Sequence, residues 1–219
     1  MTKPPSLAAV AFDLDGLMVN TEELFIQVGT QMINRRGFDL DLGLLRQMMG
    51  RPSRVSLPLM IDWYGLSDSV EELEKETAET FQSLLSDQLS PMPGLVSLIQ
   101  YLDENQIPKG IATSSRRSFV ERVLEIISLP TEFDFVLSAE DVKNGKPDPE
   151  IYQLAAKRFK VAAERMMVLE DSEAGCQAAL AAAAFVVAVP GDHSVGHCYD
   201  GVQLTVNSLA DERILAALK

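Results

Sequence analysis

Residues 7–14, LAAVAFDL, form a short apolar run that ends in carboxylates, the pattern of a buried strand. Four further runs of this kind occur at 109–113 (KGIAT), 133–139 (FDFVLSA), 166–170 (MMVLE) and 185–189 (FVVAV), separated by stretches with helical spacing. Leu95, Leu98, Ile99 and Leu102 fall on one helix face, and Phe119, Val120, Val123, Leu124 and Ile127 on another. Strands that alternate with amphipathic helices predict an α/β fold built on a doubly wound parallel sheet.

The interval 19–89 breaks this alternation. Phe25, Val28, Met32 and Ile33 repeat at helical spacing there, and no convincing strand occurs. The pattern predicts a core domain made of residues 1–18 and 90–219, with an all-helical domain of residues 19–89 inserted after the first strand. The turn-rich SPMPG at 90–94 returns the chain to the sheet. Trp63, Met48, Met49 and Met60 read as the apolar core of the insertion, and Glu71, Glu72, Glu74 and Glu76 as a solvated helix face.

A chain of 219 residues, 47% of them hydrophobic, can bury a substantial core. No stretch approaches the roughly 18 consecutive apolar residues of a membrane span, and the first residues lack the apolar run of a signal peptide. A cytoplasmic protein without a membrane partner is expected. Cys176 and Cys198 form no metal or disulfide pattern and read as ordinary thiols. The net charge of −13 repels nucleic acid, so none is expected as a partner. The same field repels a phosphate ester, so a site for one must collect positive charge locally from a metal and a few basic residues.

Ligands of open parallel sheets bind outside the carboxyl ends of the strands. Those ends carry Asp13-Leu14-Asp15-Gly16, Thr113-Ser114-Ser115 and Glu170-Asp171, while Lys146 follows the third strand in GKPDP. Crowded carboxylates are costly to keep ionised without a cation, and hard oxygen ligands select Mg²⁺. In Asp-x-Asp one carboxylate can attack phosphorus while the other moves protons, and the Leu14 amide between them faces the incoming anion. Asp13 is therefore the candidate nucleophile and Asp15 the candidate acid/base, with Lys146, Thr113 and Ser114 on the phosphoryl oxygens. A lone Asp-x-Asp-Gly is more often a turn than a site; four strand ends carrying complementary groups make the catalytic reading the better one.

Arg51 and Arg54, in the loop GRPSR, fit a substrate contact and a solvated position equally well. Glu22 suits the rim of a pocket and also the first turn of a helix begun by Thr21. His193 and His197 read as loop residues.

Asp13-Leu14-Asp15-Gly16, Thr113, Lys146 and Glu170-Asp171-Ser172, in this order, resemble the four motifs of the haloacid dehalogenase superfamily. The likeness spans nearly the whole chain and lies with the phosphatase and phosphomutase branch that carries a small helical cap. IATSS and GKPDPEIYQLAAKRF look most like the pseudouridine-5′-phosphatase and sugar-phosphate phosphatase group. The resemblance implies Mg²⁺-dependent hydrolysis of a small phosphomonoester through an aspartyl phosphate. It makes Asp13 the nucleophile and a metal ligand, gives the Asp15 carbonyl and Asp171 to the metal, and has Glu170 bind or orient it. The presence of Asp15 favours phosphoryl chemistry over dehalogenation. β-Phosphoglucomutase-like members carry a cap histidine where Phe25 stands here, which favours hydrolysis over a sugar phosphomutase. A non-catalytic binding or regulatory protein of the same fold is a further alternative, and the intact motif set counts against it. The oligomeric state is open, with a monomer expected. The cap is expected to close over the site about hinges at Gly16 and 90–94. Ala182-Ala183-Ala184 departs from the family's usual Ala-Gly-Met, in which glycine would supply a left-handed residue after the helix, so Ala183 should strain or reshape the turn.

Overall fold

The computed structural model describes residues 6–48, 53–194 and 196–219. Six strands, β1 (Ala9–Phe12), β2 (Lys109–Ala112), β3 (Phe135–Leu137), β4 (Met166–Glu170), β5 (Phe185–Ala188) and β6 (Leu204–Thr205), pair in parallel in the order β3-β2-β1-β4-β5-β6. This is the predicted α/β architecture. Every residue of β1, β2 and β4 is buried, as a parallel sheet with both faces covered requires. β6 was not predicted, because two residues, Leu204 and Thr205, carry no alternation that could reveal a strand.

The register brings the chemistry to one edge. Phe12 stands opposite Ile111 on β2 and Leu169 on β4. The next residue of each strand, Asp13, Ala112 and Glu170, therefore lies at the same level, and Asp13 extends the ladder by donating its N–H to the Leu169 carbonyl at 3.0 Å.

The helices are α1 (Thr21–Asn34), α2 (Leu42–Met48), α3 (Ser53–Tyr64), α4 (Val70–Gln88), α5 (Leu95–Glu104), α6 (Arg117–Ile127), α7 (Glu150–Phe159), α8 (Glu173–Ala181) and α9 (Glu212–Ala217). α5 buries the predicted stripe Leu95, Leu98, Ile99 and Leu102. α6 buries Val120 and Val123 fully and the rest of its stripe in part. Cys176 is buried in the sheet unit and Cys198 is exposed. Among the described residues, no helix is long and apolar enough to cross a membrane.

The chain divides into two compact units, Met1–Asn20 with Ser90–Lys219, and Thr21–Leu89. Val19 and Asn20 belong with the sheet. Val19 is buried and bridges both Asp15 and Pro91, and the Met92 N–H donates to the Met18 carbonyl at 2.8 Å. The first boundary thus falls two residues later than 18/19, since backbone pairing there overrides the apolar spacing that began at Val19. The stretch 90–94 is fixed by Gly94, whose φ is +90°; a Cβ there would lie 2.2 Å from the Ala210 nitrogen.

In the helical unit, Ser69 and Glu72 close a capping box on α4, and Arg36 pairs with Asp68 at 2.6 Å and Glu76 at 2.7 Å. Two members of the acidic run therefore have structural partners: Glu72 stays exposed, as a solvated face requires, while Glu76 is partly buried against Arg36 and departs from that expectation. Met60 is buried as expected, but Trp63 is 53% exposed. Phe25 is also largely exposed and stacks on Phe81, with ring centroids 4.2 Å apart. Met49 lies outside the described residues.

Candidate active site

The ammonium of Lys146 sits across the ends of three neighbouring strands. Its Nζ donates to Asp13 Oδ1 at 2.5 Å, to Glu170 Oε1 at 2.6 Å and to the Ala112 carbonyl at 3.0 Å. An ammonium has three protons, and all three are used. Lys146 comes from the loop before α7, where the Lys146–Pro147 bond is cis. Glu150 holds that loop by accepting the N–H groups of Lys143 (3.1 Å) and Asn144 (2.9 Å), while its own N–H binds Asp148.

Asp13, Glu170 and Asp171 are buried, and one carboxylate oxygen from each lies within 4.8 Å of the others. Burial raises the Asp13 carboxyl well above the usual carboxylate range; Lys146 opposes the shift, and Glu170, Asp171 and Asp15 reinforce it. Burial works against the Lys146 charge as well, but Asp13 and Glu170 prevail and hold the ammonium well above its ordinary value. With every group ionised, three carboxylates and one ammonium leave a formal charge of −2 in a buried site. A divalent cation with hard-oxygen preference fits that donor set in both charge and chemistry.

Asp15 lies apart from that trio. Its Oδ2 accepts the Ser115 hydroxyl at 2.5 Å, with the Thr113 hydroxyl at 3.5 Å. Thr113 is buried and steadies this turn by accepting the Ser115 N–H at 3.0 Å. Ser114 is exposed, and the side chain of Leu14 is fully buried in the core. Arg51 lies outside the described residues; Arg54 is exposed on α3.

Strand β4 passes into α8 through Asp171 and Ser172. Ser172 caps the helix by accepting the Gly175 N–H at 3.1 Å and donates its hydroxyl to Glu170 Oε2 at 3.0 Å. The Asp171 carbonyl accepts hydroxyls from Tyr199 (2.6 Å) and Ser194 (3.0 Å), both in the segment after β5. His197 serves that segment as a loop residue, its Nδ1 accepting the Glu173 N–H.

Two residues that the motifs did not nominate belong to this constellation, Ser115 and Tyr152, and Ser172 of the fourth motif joins it with Gly175 through Glu170. Tyr152 is buried on α7 and donates its hydroxyl to Glu170 Oε1 at 2.6 Å. Its signal in the sequence is slight, since a tyrosine on an apolar helix face reads as core. The hydroxyl was the clue, because a wholly buried one needs a partner. Within the helical unit, a cavity of about 250 Å³ is lined by Glu22, Phe25, Met32, Met48, Met60 and Thr77 among others.

Several known proteins resemble this chain. The family model described as haloacid dehalogenase-like hydrolase matches residues 10–189. A phosphorylated carbohydrates phosphatase of Thermotoga maritima is 34% identical over 177 residues, covering 80% of this chain and 82% of that protein. A Drosophila melanogaster protein named "Probable pseudouridine-5'-phosphatase" is 33% identical over 185 residues, 82% of this chain and 80% of its own. The crystal structure of a "putative beta-phosphoglucomutase" from Thermotoga maritima superposes with a TM-score of 0.82 at 29% identity, covering 97% of this chain and 100% of that one. The chain belongs to the haloacid dehalogenase-like hydrolase family.

Proposed function

We propose that this phosphatase hydrolyses a small phosphomonoester, a phosphorylated carbohydrate or a related alcohol phosphate, by passing the phosphoryl group first to Asp13 and then to water. The observation that carries the reading is the Lys146 ammonium held between Asp13 and Glu170 at the sheet edge, a buried positive charge in a chain of net charge −13. It is the local attraction that an anionic ester needs in a protein whose overall field repels it.

In the first half-reaction an Asp13 oxygen bonds to phosphorus as the bond to the leaving oxygen breaks, and Asp15 gives that oxygen its proton. In the second, Asp15 takes a proton from water, the water oxygen bonds to phosphorus, and the bond to Asp13 breaks to release orthophosphate. Ser115 orients Asp15 for both transfers through the 2.5 Å hydrogen bond. Lys146, Thr113, Ser114 and the Leu14 amide are assigned to the phosphoryl oxygens; Lys146 must exchange a present contact to reach one, since its three protons are taken. Asp13, Asp171 and the Asp15 carbonyl, with Glu170 beside them, are assigned to Mg²⁺, which when bound supplies charge neutralisation for the carboxylates and the ester. The unit Thr21–Leu89 is assigned the role of a cap that selects the leaving alcohol, with Arg51 as a substrate contact. Phe25, stacked on Phe81, offers no proton-transfer group in the first cap helix, which favours release of phosphate over return of an isomer.

The test is phosphate release from a panel of sugar, nucleotide-like and aryl phosphates, with and without Mg²⁺, for the parent and Asp13→Asn. Release that requires both the metal and Asp13 supports the reading. An isomerised sugar phosphate with no net phosphate release replaces it with the mutase.

A further inference from the structure

We infer that Tyr152 is a positioning residue for Lys146, acting through a Glu170 carboxylate whose hydrogen-bonding capacity is filled by the protein itself. The inference rests on the phosphatase reading and assigns a role to a residue outside the four motifs.

A carboxylate has about four lone-pair sites. Glu170 Oε1 receives the Lys146 ammonium and the Tyr152 hydroxyl, both at 2.6 Å. Oε2 receives the Ser172 hydroxyl at 3.0 Å and the Ser172 N–H at 3.3 Å. Glu170 is fully buried, and its four contacts account for that capacity. It thus serves as the fixed counter-ion of Lys146 and leaves direct coordination of a cation to Asp13 and Asp171. Tyr152 fixes the Oε1 end of this arrangement. Its ring also lies beside the ammonium, with Nζ 5.0 Å from the centroid, so one side chain steadies Lys146 by two routes. Without the hydroxyl, Oε1 keeps a vacant lone pair, the carboxylate can rotate, and the ammonium loses the anchor that sets its distance from Asp13.

Tyr152→Phe keeps the ring and removes the hydroxyl. In metal-free, ¹⁵N-lysine-labelled protein, the Lys146 ammonium cross-peak, assigned by its loss in Lys146→Met, should shift or broaden in Tyr152→Phe. With substrate, kcat should fall by roughly tenfold, the scale of one hydrogen bond to a charged group. KM and the Mg²⁺ concentration for half-activation should stay within about twofold, because neither ground-state binding nor a metal ligand is altered. An unmoved cross-peak overturns the inference. So does unchanged kcat, or a rise in the Mg²⁺ requirement as large as the fall in kcat, which would make Glu170 a metal ligand. Should Tyr152→Phe fail to fold, Glu170→Asp, which withdraws the shared oxygen, must move the same cross-peak. Absence of phosphate release from the parent would defeat the functional reading, while the cross-peak would still decide the role of Tyr152.

Discussion

The carboxylate of Glu170 rests directly on the α-carbon of Gly175: a Cβ added to Gly175 would lie 1.9 Å from Oε1 and 2.2 Å from Oε2. Gly175 lies in the first turn of α8, so this turn is the floor under the group that anchors Lys146. Gly175→Ala must push the carboxylate aside or bend the helix. We expect a loss of about 1–3 kcal/mol in stability from the overpacking and a larger loss of turnover, on the order of a hundredfold, as Lys146 shifts. Denaturant melts paired with kcat measurements check both.

Ser115 bears on the proton-transfer step. Its hydroxyl lies 2.5 Å from Asp15 Oδ2, and Ser115→Ala removes that donor without touching the carboxylates around Asp13. Turnover should fall by roughly tenfold with little change in KM, as expected for loss of one charge-assisted hydrogen bond. A change confined to KM would place Ser115 on the substrate instead.

The helical unit should be acid-labile through Arg36. Hydrogen bonds from the Arg36 guanidinium hold the Asp68 and Glu76 carboxyls below their ordinary values. A carboxyl whose folded value is depressed stabilises the fold above its unfolded pKa, about 4 for both residues, and that contribution is lost as pH falls through the depressed folded value. Arg36→Met removes it. The parent should therefore lose more stability than the variant between pH 7 and pH 3 in thermal melts, and equal losses would exclude the coupling.

Ala183 carries strain that glycine would relieve. It follows α8 with φ +64°, so of the two outcomes the sequence leaves open, a strained turn or a reshaped one, the turn is kept and strained. Ala183→Gly removes about 1–2 kcal/mol of steric cost and adds chain entropy to the unfolded state, for a net gain of roughly 0.5–1 kcal/mol. In a domain of this size that amounts to about 2 °C in Tm, with activity unchanged.

Much of the fold was legible because each long strand of a parallel sheet is a compact apolar run, and β1, β2 and β4 kept that form to their carboxyl ends. The strand-end groups were legible for the same reason: once the strands are placed, Asp13, Thr113 and Glu170 share an edge by register. What the spacing could not provide was the second layer of contacts. Tyr152 and Ser172 lie on helix α7 and at the cap of α8, and their hydroxyls become partners of Glu170 only after the chain folds back on the sheet. In the helical unit, Trp63 reads as core because an apolar side chain among apolar positions looks buried, but it is 53% exposed. Glu76 was hidden for the converse reason, since its partners Arg35 and Arg36 are about forty residues earlier in the chain.

The central claim is that Asp13 carries the phosphoryl group, and acid quenching during turnover tests it most directly. The parent is mixed with its best ester and Mg²⁺ and quenched within one turnover, and the peptide containing Asp13 is weighed. Asp13 is predicted to bear a phosphoryl group in the parent, and that mass should be missing in Asp13→Asn together with phosphate release. Full turnover with no phosphoryl mass on Asp13, or with the mass on another residue, would contradict the account.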